Sequence, residues 1–147
     1  QLGDVMKESV QIAISLVKSM FPEKAELFEK NDLHIHVPAG AVPKDGPSAG
    51  ITLTTALASL VSGIAVSPEY AMTGEVSLRG VVMPIGGLPE KLMAAQRAGV
   101  KEVFIPEENL DDLADVAEEV KQALKIVPVH HVPDVLEQVG ILQSREK

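Results

Sequence analysis

The segment 44–50, KDGPSAG, places a serine where a turn-rich loop meets a long apolar run. Gly46 and Pro47 interrupt the structure before them, and a proline suits the first helical turn because an N–H there has no intrahelical partner. Residues 49–61 then repeat large aliphatic side chains at helical spacing. These side chains are Leu53, Leu57, Leu60 and Val61. Ser48 is therefore predicted to lie at the N-terminus of a largely buried helix.

This position leaves two roles open to Ser48. The unpaired N–H groups and the positive dipole end of a helix N-terminus stabilise an oxyanion, so a nucleophilic serine would be useful there. A serine at a helix start is more often only a cap, because its hydroxyl accepts a hydrogen bond from an orphan N–H. Position alone favours the capping role for Ser48. Capping is also the first interpretation of Asp45, which lies in the same loop.

Composition narrows the possible partners and chemistries. The chain has 147 residues, a net charge of −8, three Phe, one Tyr, no Trp and no Cys. That length suffices for one domain with a core, and the core must be aliphatic. The acidic charge disfavours nucleic acid and anionic membrane surfaces. The lack of cysteine excludes disulfides and Cys-ligated metals, and no apolar run reaches membrane-spanning length.

Hydrophobic periodicity predicts helices and strands that alternate along the chain. Helices are predicted at 4–20, 49–61, 88–98 and 133–139, shorter helical turns at 23–30 and 106–124, and strands at 33–37, 70–78, 81–85, 102–105 and 125–129. Arg79 and Gly80 are the predicted turn of a hairpin, which places Thr73 in its first arm. The pattern is typical of a mixed α/β domain.

Two histidines, His34 and His36, share one face of the predicted strand 33–37. A zinc site needs further ligands, and the sequence supplies none nearby, so no metal site is predicted. A supporting polar role stays open, because this strand leads into the loop before Ser48.

Lys91 falls at the edge of the core face of the predicted helix 88–98, beside Leu88 and Leu92. Burial and the positive end of the helix dipole both disfavour a charged ammonium. The alternative is that the aliphatic stem lies along the apolar surface and carries the charge to water. The pattern alone leaves both interpretations open.

Several segments together resemble the proteolytic domain of Lon proteases. The most specific is PKDGPSAG; MTGE and PIGGLPEK follow in the family's order, and GDVMKES and LHIHVP also match. The resemblance covers nearly the whole chain. It implies one proteolytic domain at 1–142, followed by a flexible tail at 143–147. The implied fold is α+β, of the ribosomal protein S5 domain 2-like type, without its N-terminal strands.

Carried over by position, the resemblance makes Ser48 the nucleophile and Lys91 the general base of a Ser–Lys dyad. Thr73 would hydrogen-bond the lysine amine. Further supporting positions are Glu8, His34, His36 and Asp45. Pro89 stands where the family has a lysine, and little effect is expected because proline suits a first helical turn.

The chemistry requires an unusual lysine. A serine hydroxyl needs a base to take its proton, and a lysine can do so only when neutral, which means a drop in pKa from ~10.4 to roughly 7–8. Apolar neighbours and a helix N-terminus favour the neutral form. The backbone N–H of Ser48, with that of Gly46 or Ala49, is the expected oxyanion hole; Pro47 has no N–H to donate.

The resemblance further implies an ATP-dependent, homohexameric, cytoplasmic protease of misfolded and short-lived regulatory proteins. ATP and Mg would bind an AAA+ module outside this segment, so no cofactor is expected here. One alternative is a catalytically silent Lon-like assembly module, against which the presence of both Ser48 and Lys91 argues. Another is a phosphate-binding enzyme that uses the helix N-terminus near Gly46 as an anion site.

Overall fold

The computed structural model describes residues 4–24, 26 and 50–142. The α-helices are α1 (Asp4–Met20), α2 (Gly50–Ser62), α3 (Leu88–Arg97), α4 (Glu118–Ala123) and α5 (Val132–Gln138), and short 3-10 helices span Pro22–Lys24 and Glu107–Asp115. The strands are β1 (Tyr70–Met72), β2 (Glu75–Val76), β3 (Val82–Met83), β4 (Glu102–Pro106) and β5 (Lys125–Val129). The mixed α/β class predicted from the sequence is confirmed.

Three of the strands form a parallel sheet in the order β1-β4-β5. Met72 at the end of β1 lies opposite Phe104, and Phe104 lies opposite Val127. The other two strands, β2 and β3, pair as an antiparallel hairpin in which Glu75 lies opposite Met83. The hairpin therefore begins just beyond the carboxyl end of β1.

Strand β4 divides the apolar core into two clusters, because successive side chains of a strand point to opposite faces of the sheet. Phe104 belongs to the α2-side core, which includes residues of α1, α2 and α5; Val103 and Ile105 belong to the α3-side core, with Leu88, Leu92, Val116, Val120 and Leu124. Helices α2 and α3 thus pack on opposite faces of the same sheet.

The helix predicted over 4–20 is confirmed, and Ala13 and Val17 on it are fully buried. The buried helix predicted after the serine segment is confirmed as α2 from Gly50 to Ser62. Within it, Leu60 was predicted to face the core and is instead 58% exposed. The next residue, Val61, is 4% exposed and belongs to the α2-side core, so the last turn of the helix directs Val61 rather than Leu60 inward.

The single hairpin arm predicted over 70–78 is wrong. The chain leaves the parallel sheet after β1 and starts the hairpin afresh at β2, and Gly74 between them has φ 150°, a backbone region that side-chain-bearing residues rarely adopt. The predicted turn is confirmed: it spans 77–80, with the Gly80 N–H donating to the Ser77 carbonyl at 2.9 Å. Thr73 therefore lies between two sheets rather than within a hairpin arm.

Some predictions fall on residues outside the described part of the chain. These are the strand 33–37, the loop before the serine, most of the turn predicted at 23–30, and the tail 143–147. Among the helices that are described, none combines the length and the apolar character needed to cross a membrane.

Candidate active site

Thr73 directly follows the carboxyl end of β1. Its N–H donates to the Phe104 carbonyl at 3.1 Å, which continues the parallel ladder by one residue. Strand alternation consequently places the Thr73 side chain on the face of Ala71, the face that carries α3. The side chain is only 4% exposed, and its hydroxyl has no hydrogen-bond partner among the described residues. A buried hydroxyl without a partner is costly and uncommon in a folded protein.

The N-terminus of α2 docks on the residues that follow Thr73. The Ile51 N–H donates to the Gly74 carbonyl at 3.0 Å, which satisfies one of the orphan N–H groups of the helix. Gly50 lies so close to the hairpin that an added Cβ would be 2.9 Å from the Val76 nitrogen. This close approach explains a glycine at the first residue of α2.

Substitution of this glycine tests the docking. We expect Gly50→Ala to lower the free energy of unfolding by about 1–3 kcal/mol, the usual cost of forcing extra volume into a packed site. Gly86→Ala is the matched control, because a Cβ there would meet no atom within 4 Å. Denaturant unfolding of both variants measures the difference; equal stability of the two would contradict the close packing at Gly50.

Lys91 lies in the first turn of α3. Gly87, in the left-handed conformation with φ 73°, is the N-cap residue, and its carbonyl accepts the Lys91 N–H at 3.1 Å. On either side of Lys91, Leu88 and Leu92 are fully buried in the α3-side core. The lysine itself is half-buried, as its place at the edge of that face predicts, and no hydrogen bond or ion pair joins its amine to another described residue.

The hairpin β2–β3 connects the two helices across the end of the sheet. Val76 in β2 contacts the start of α2 at Gly50, and Glu75 pairs with Met83 in β3. Met83 in turn leads through a short loop into α3. The segments that contain the serine motif and the lysine motif are therefore tied to one small hairpin, although their helices pack on opposite faces of the sheet.

The structure describes three of the side chains predicted for the site: Thr73, Lys91 and Glu8, the last of which is exposed on α1. Ser48, Asp45, His34 and His36 lie outside the described residues, as do the predicted oxyanion donors Gly46 and Ala49. The assignment of a dyad and its supporting residues therefore stays a prediction. Among the described residues, no group of three or more His, Asp or Glu is arranged to hold a metal ion.

One buried polar residue near this site was missed by the sequence analysis. Asn109 is only 2% exposed, and its side-chain amide bonds both backbone groups of Ile85: it accepts the Ile85 N–H at 3.0 Å and donates to the Ile85 carbonyl at 2.9 Å. The same amide nitrogen donates to the Asp112 carboxylate at 2.7 Å. The sequence signal was weak, because Asn109 stands among acidic, solvent-exposed neighbours and its partner is backbone far along the chain.

Comparison with known proteins identifies the class. Residues 1–141 match the family model described as the Lon protease (S16) C-terminal proteolytic domain. The chain is 62% identical over 146 residues to the Lon protease of Clostridium beijerinckii, covering 99% of this chain and 18% of that protein. It is 58% identical over 139 residues to the Lon protease of Azospirillum brasilense, covering 92% of this chain and 17% of that protein.

The chain is also 55% identical over 138 residues to the Lon protease of Methanosarcina barkeri, covering 92% of this chain and 17% of that protein. The comparisons define a proteolytic domain, and the mixed α/β fold is compatible with it. The chain belongs to the Lon protease family and corresponds to its C-terminal proteolytic domain. It spans less than a fifth of the length of these relatives.

Proposed function

We propose that this domain is a serine endopeptidase in which Ser48 is the nucleophile and Lys91 is the general base. The observation that best supports this role is the hydrogen bond from Ile51 to Gly74, at 3.0 Å. This hydrogen bond holds the N-terminus of α2, the helix that follows Ser48, against Gly74, the residue that follows Thr73. Two residues of chain span at most about 7 Å, so a nucleophile at position 48 is tethered to this docked helix end.

In the proposed reaction, the Ser48 oxygen attacks the carbonyl carbon of a peptide bond while the neutral amine of Lys91 takes its proton. The resulting ammonium returns that proton to the nitrogen of the leaving amine, which breaks the peptide bond and leaves an acyl-enzyme. Lys91 then takes a proton from water, and the hydroxide formed attacks the ester carbonyl. As the bond to the Ser48 oxygen breaks, the Lys91 ammonium returns the proton to that oxygen, which releases the new carboxyl end of the peptide and regenerates both side chains.

Thr73 is proposed to orient the base. Its buried hydroxyl lies on the sheet face that carries α3 and has no partner among the described residues, so an oxygen lone pair is available to accept an N–H from the Lys91 amine. The oxyanion of the tetrahedral intermediate would be stabilised by the N–H of Ser48 with that of Gly46 or Ala49. The positive dipole end of α2 adds to this stabilisation.

Labelling with a fluorophosphonate, a serine-directed electrophile, tests this assignment. After digestion, mass spectrometry of the active protein is expected to find the adduct on the peptide that contains Ser48. Retention of full peptidase activity with an unmodified Ser48, or an adduct on another serine that accounts for inhibition, would contradict the proposal.

The relatives, which are much longer than this chain, support a wider proposal about the whole protein. We propose that it is an ATP-dependent, cytoplasmic protease of misfolded and short-lived regulatory polypeptides, assembled as a homohexamer. ATP and Mg would bind an AAA+ module outside these residues. Residues 1–142 would form the proteolytic domain, with an S5 domain 2-like fold, and residues 143–147 a flexible tail.

Replacement of Thr73 by valine separates its catalytic effect from its effect on stability. Valine has the shape of threonine without the hydroxyl, so the substitution is expected to change the free energy of unfolding by no more than about 1 kcal/mol, the net worth of one hydrogen bond. Loss of the orienting hydrogen bond is expected to lower kcat roughly 10- to 100-fold, the loss typical of an outer residue that orients a reactive group. Thermal unfolding and peptide cleavage measure the two effects.

Thr55→Val is the matched control for this experiment. Thr55 is also buried, at 3% exposure, and its hydroxyl also lacks a partner among the described residues, but it lies within α2. The control is expected to be at least as stable as the unsubstituted protein and to keep its kcat. Equal kcat values for Thr73→Val and Thr55→Val would remove Thr73 from the proposed mechanism.

A further inference from the structure

The residues of the loop between β3 and α3 make few packing contacts. It consists of Pro84, Ile85, Gly86 and Gly87. Gly86 is exposed and an added Cβ there would meet no atom within 4 Å, while Gly87 has φ 73° and caps α3. Because neither glycine has a side chain to pack and Pro84 is exposed, the anchoring of this loop depends on Ile85.

Asn109 holds Ile85 at both backbone groups. One side-chain amide that accepts the N–H and donates to the carbonyl of the same residue leaves that peptide segment little freedom to rotate, and the two distances are 3.0 and 2.9 Å. The hydrogen bond to Asp112, at 2.7 Å, fixes which way the amide faces. Burial strengthens the arrangement, because hydrogen bonds shielded from water are not readily exchanged for bonds to solvent.

Ile85, the residue that Asn109 holds, lies close in sequence to the residue whose carbonyl accepts the Lys91 N–H. Ile85 precedes the N-cap Gly87 by two residues, and the carbonyl of Gly87 accepts the Lys91 N–H at 3.1 Å. Leu88 and Leu92 hold α3 against the sheet by apolar packing, which is non-directional. The two hydrogen bonds between Asn109 and Ile85 supply a directional constraint on the start of the same helix.

We propose that Asn109 is a positioning residue for the reaction: its amide holds the β3–α3 loop so that the first turn of α3 presents the Lys91 amine to Ser48. This inference rests on the proposed function. A misplacement of a catalytic group by about 1 Å can cost roughly 100-fold in rate, so a residue that touches no reacting atom can still limit catalysis.

The test compares Asn109→Ala with Val120→Ala in the whole protein that carries this domain. Val120 is buried in the same α3-side core but lies on α4, so its truncation also lowers stability without touching the loop. We expect Asn109→Ala to reduce kcat for peptide cleavage, and the rate of fluorophosphonate labelling, by roughly 100-fold, with KM nearly unchanged. Val120→Ala is expected to keep both rates at a temperature where both variants are folded.

A further variant makes the result decisive. Asn109→Asp has the same size and keeps an acceptor for the Ile85 N–H but loses the donor to its carbonyl, so it is expected to be slow; it replaces Asn109→Ala where that variant does not fold. Rates for the Asn109 variants equal to that of Val120→Ala would overturn the inference.

A Ser48→Ala arm separates this inference from the proposed function. Labelling that persists in Ser48→Ala would contradict the assignment of the nucleophile itself. Loss of labelling in Ser48→Ala, together with unimpaired rates in the Asn109 variants, would contradict only the positioning role of Asn109.

Discussion

Ser48→Ala is expected to abolish covalent labelling by a fluorophosphonate and to lower kcat for peptide cleavage by at least roughly 10⁴-fold, the loss seen when a nucleophilic serine is removed. No acyl-enzyme can form without the hydroxyl. Peptide binding should persist, because substrate contacts do not depend on this oxygen. Labelling measured by mass spectrometry and cleavage of a fluorogenic peptide report the two effects independently.

Ser62→Ala is the matched control for this substitution. Ser62 is the last residue of α2, and its hydroxyl bonds locally, accepting the Ile64 N–H at 3.2 Å. The same chemical change at the opposite end of the same helix is expected to leave labelling and cleavage intact. An unchanged labelling rate in Ser48→Ala would remove Ser48 from the mechanism.

The second large effect is expected from Lys91. Lys91→Arg keeps a positive charge that cannot be lost at neutral pH. Lys91→Met keeps most of the length of the apolar side chain but has no group to accept a proton. Both variants are expected to lower kcat by roughly 10²–10⁴-fold, the contribution of a general base. Thermal stability should change little in Lys91→Met, because the lysine is half-buried and forms no ion pair with a described residue.

Arg97→Met controls for the loss of a cation from α3. Arg97 lies in the last turn of the same helix and is exposed, so its replacement is expected to preserve activity. Turnover by Lys91→Met at the level of Arg97→Met would show that another group acts as the base.

Most of the fold could be predicted from the sequence, because the spacing of apolar residues indicates which side of a helix or strand is buried. The core face of α3, Leu88 with Leu92, followed from spacing alone, and both leucines are buried in the structure. The break at Gly74 was not predictable in this way. Residues 70–78 carry strand propensity on both sides of the glycine, and only the pairing of β1 with β4 and of β2 with β3 separates them into two sheets.

Less of the candidate site than of the fold could be predicted from the sequence. The half-buried position of Lys91 followed from its place between two core leucines. The isolation of the Thr73 hydroxyl depends on tertiary packing, which a β-branched residue in a strand pattern does not reveal. Asn109 is the clearest omission, because its role depends on backbone groups of Ile85 that are distant in sequence, and no local pattern encodes that contact.

A crystal structure of the whole protein with a peptide boronate bound tests the central claim most directly. We expect the boron atom to be bonded to the Ser48 oxygen, and the Lys91 amine nitrogen to lie within about 3.2 Å of that oxygen, the reach required of a general base. A fully occupied adduct on Ser48 with the Lys91 amine directed into bulk water, or an inhibitor bonded to another side chain, would contradict the proposed dyad.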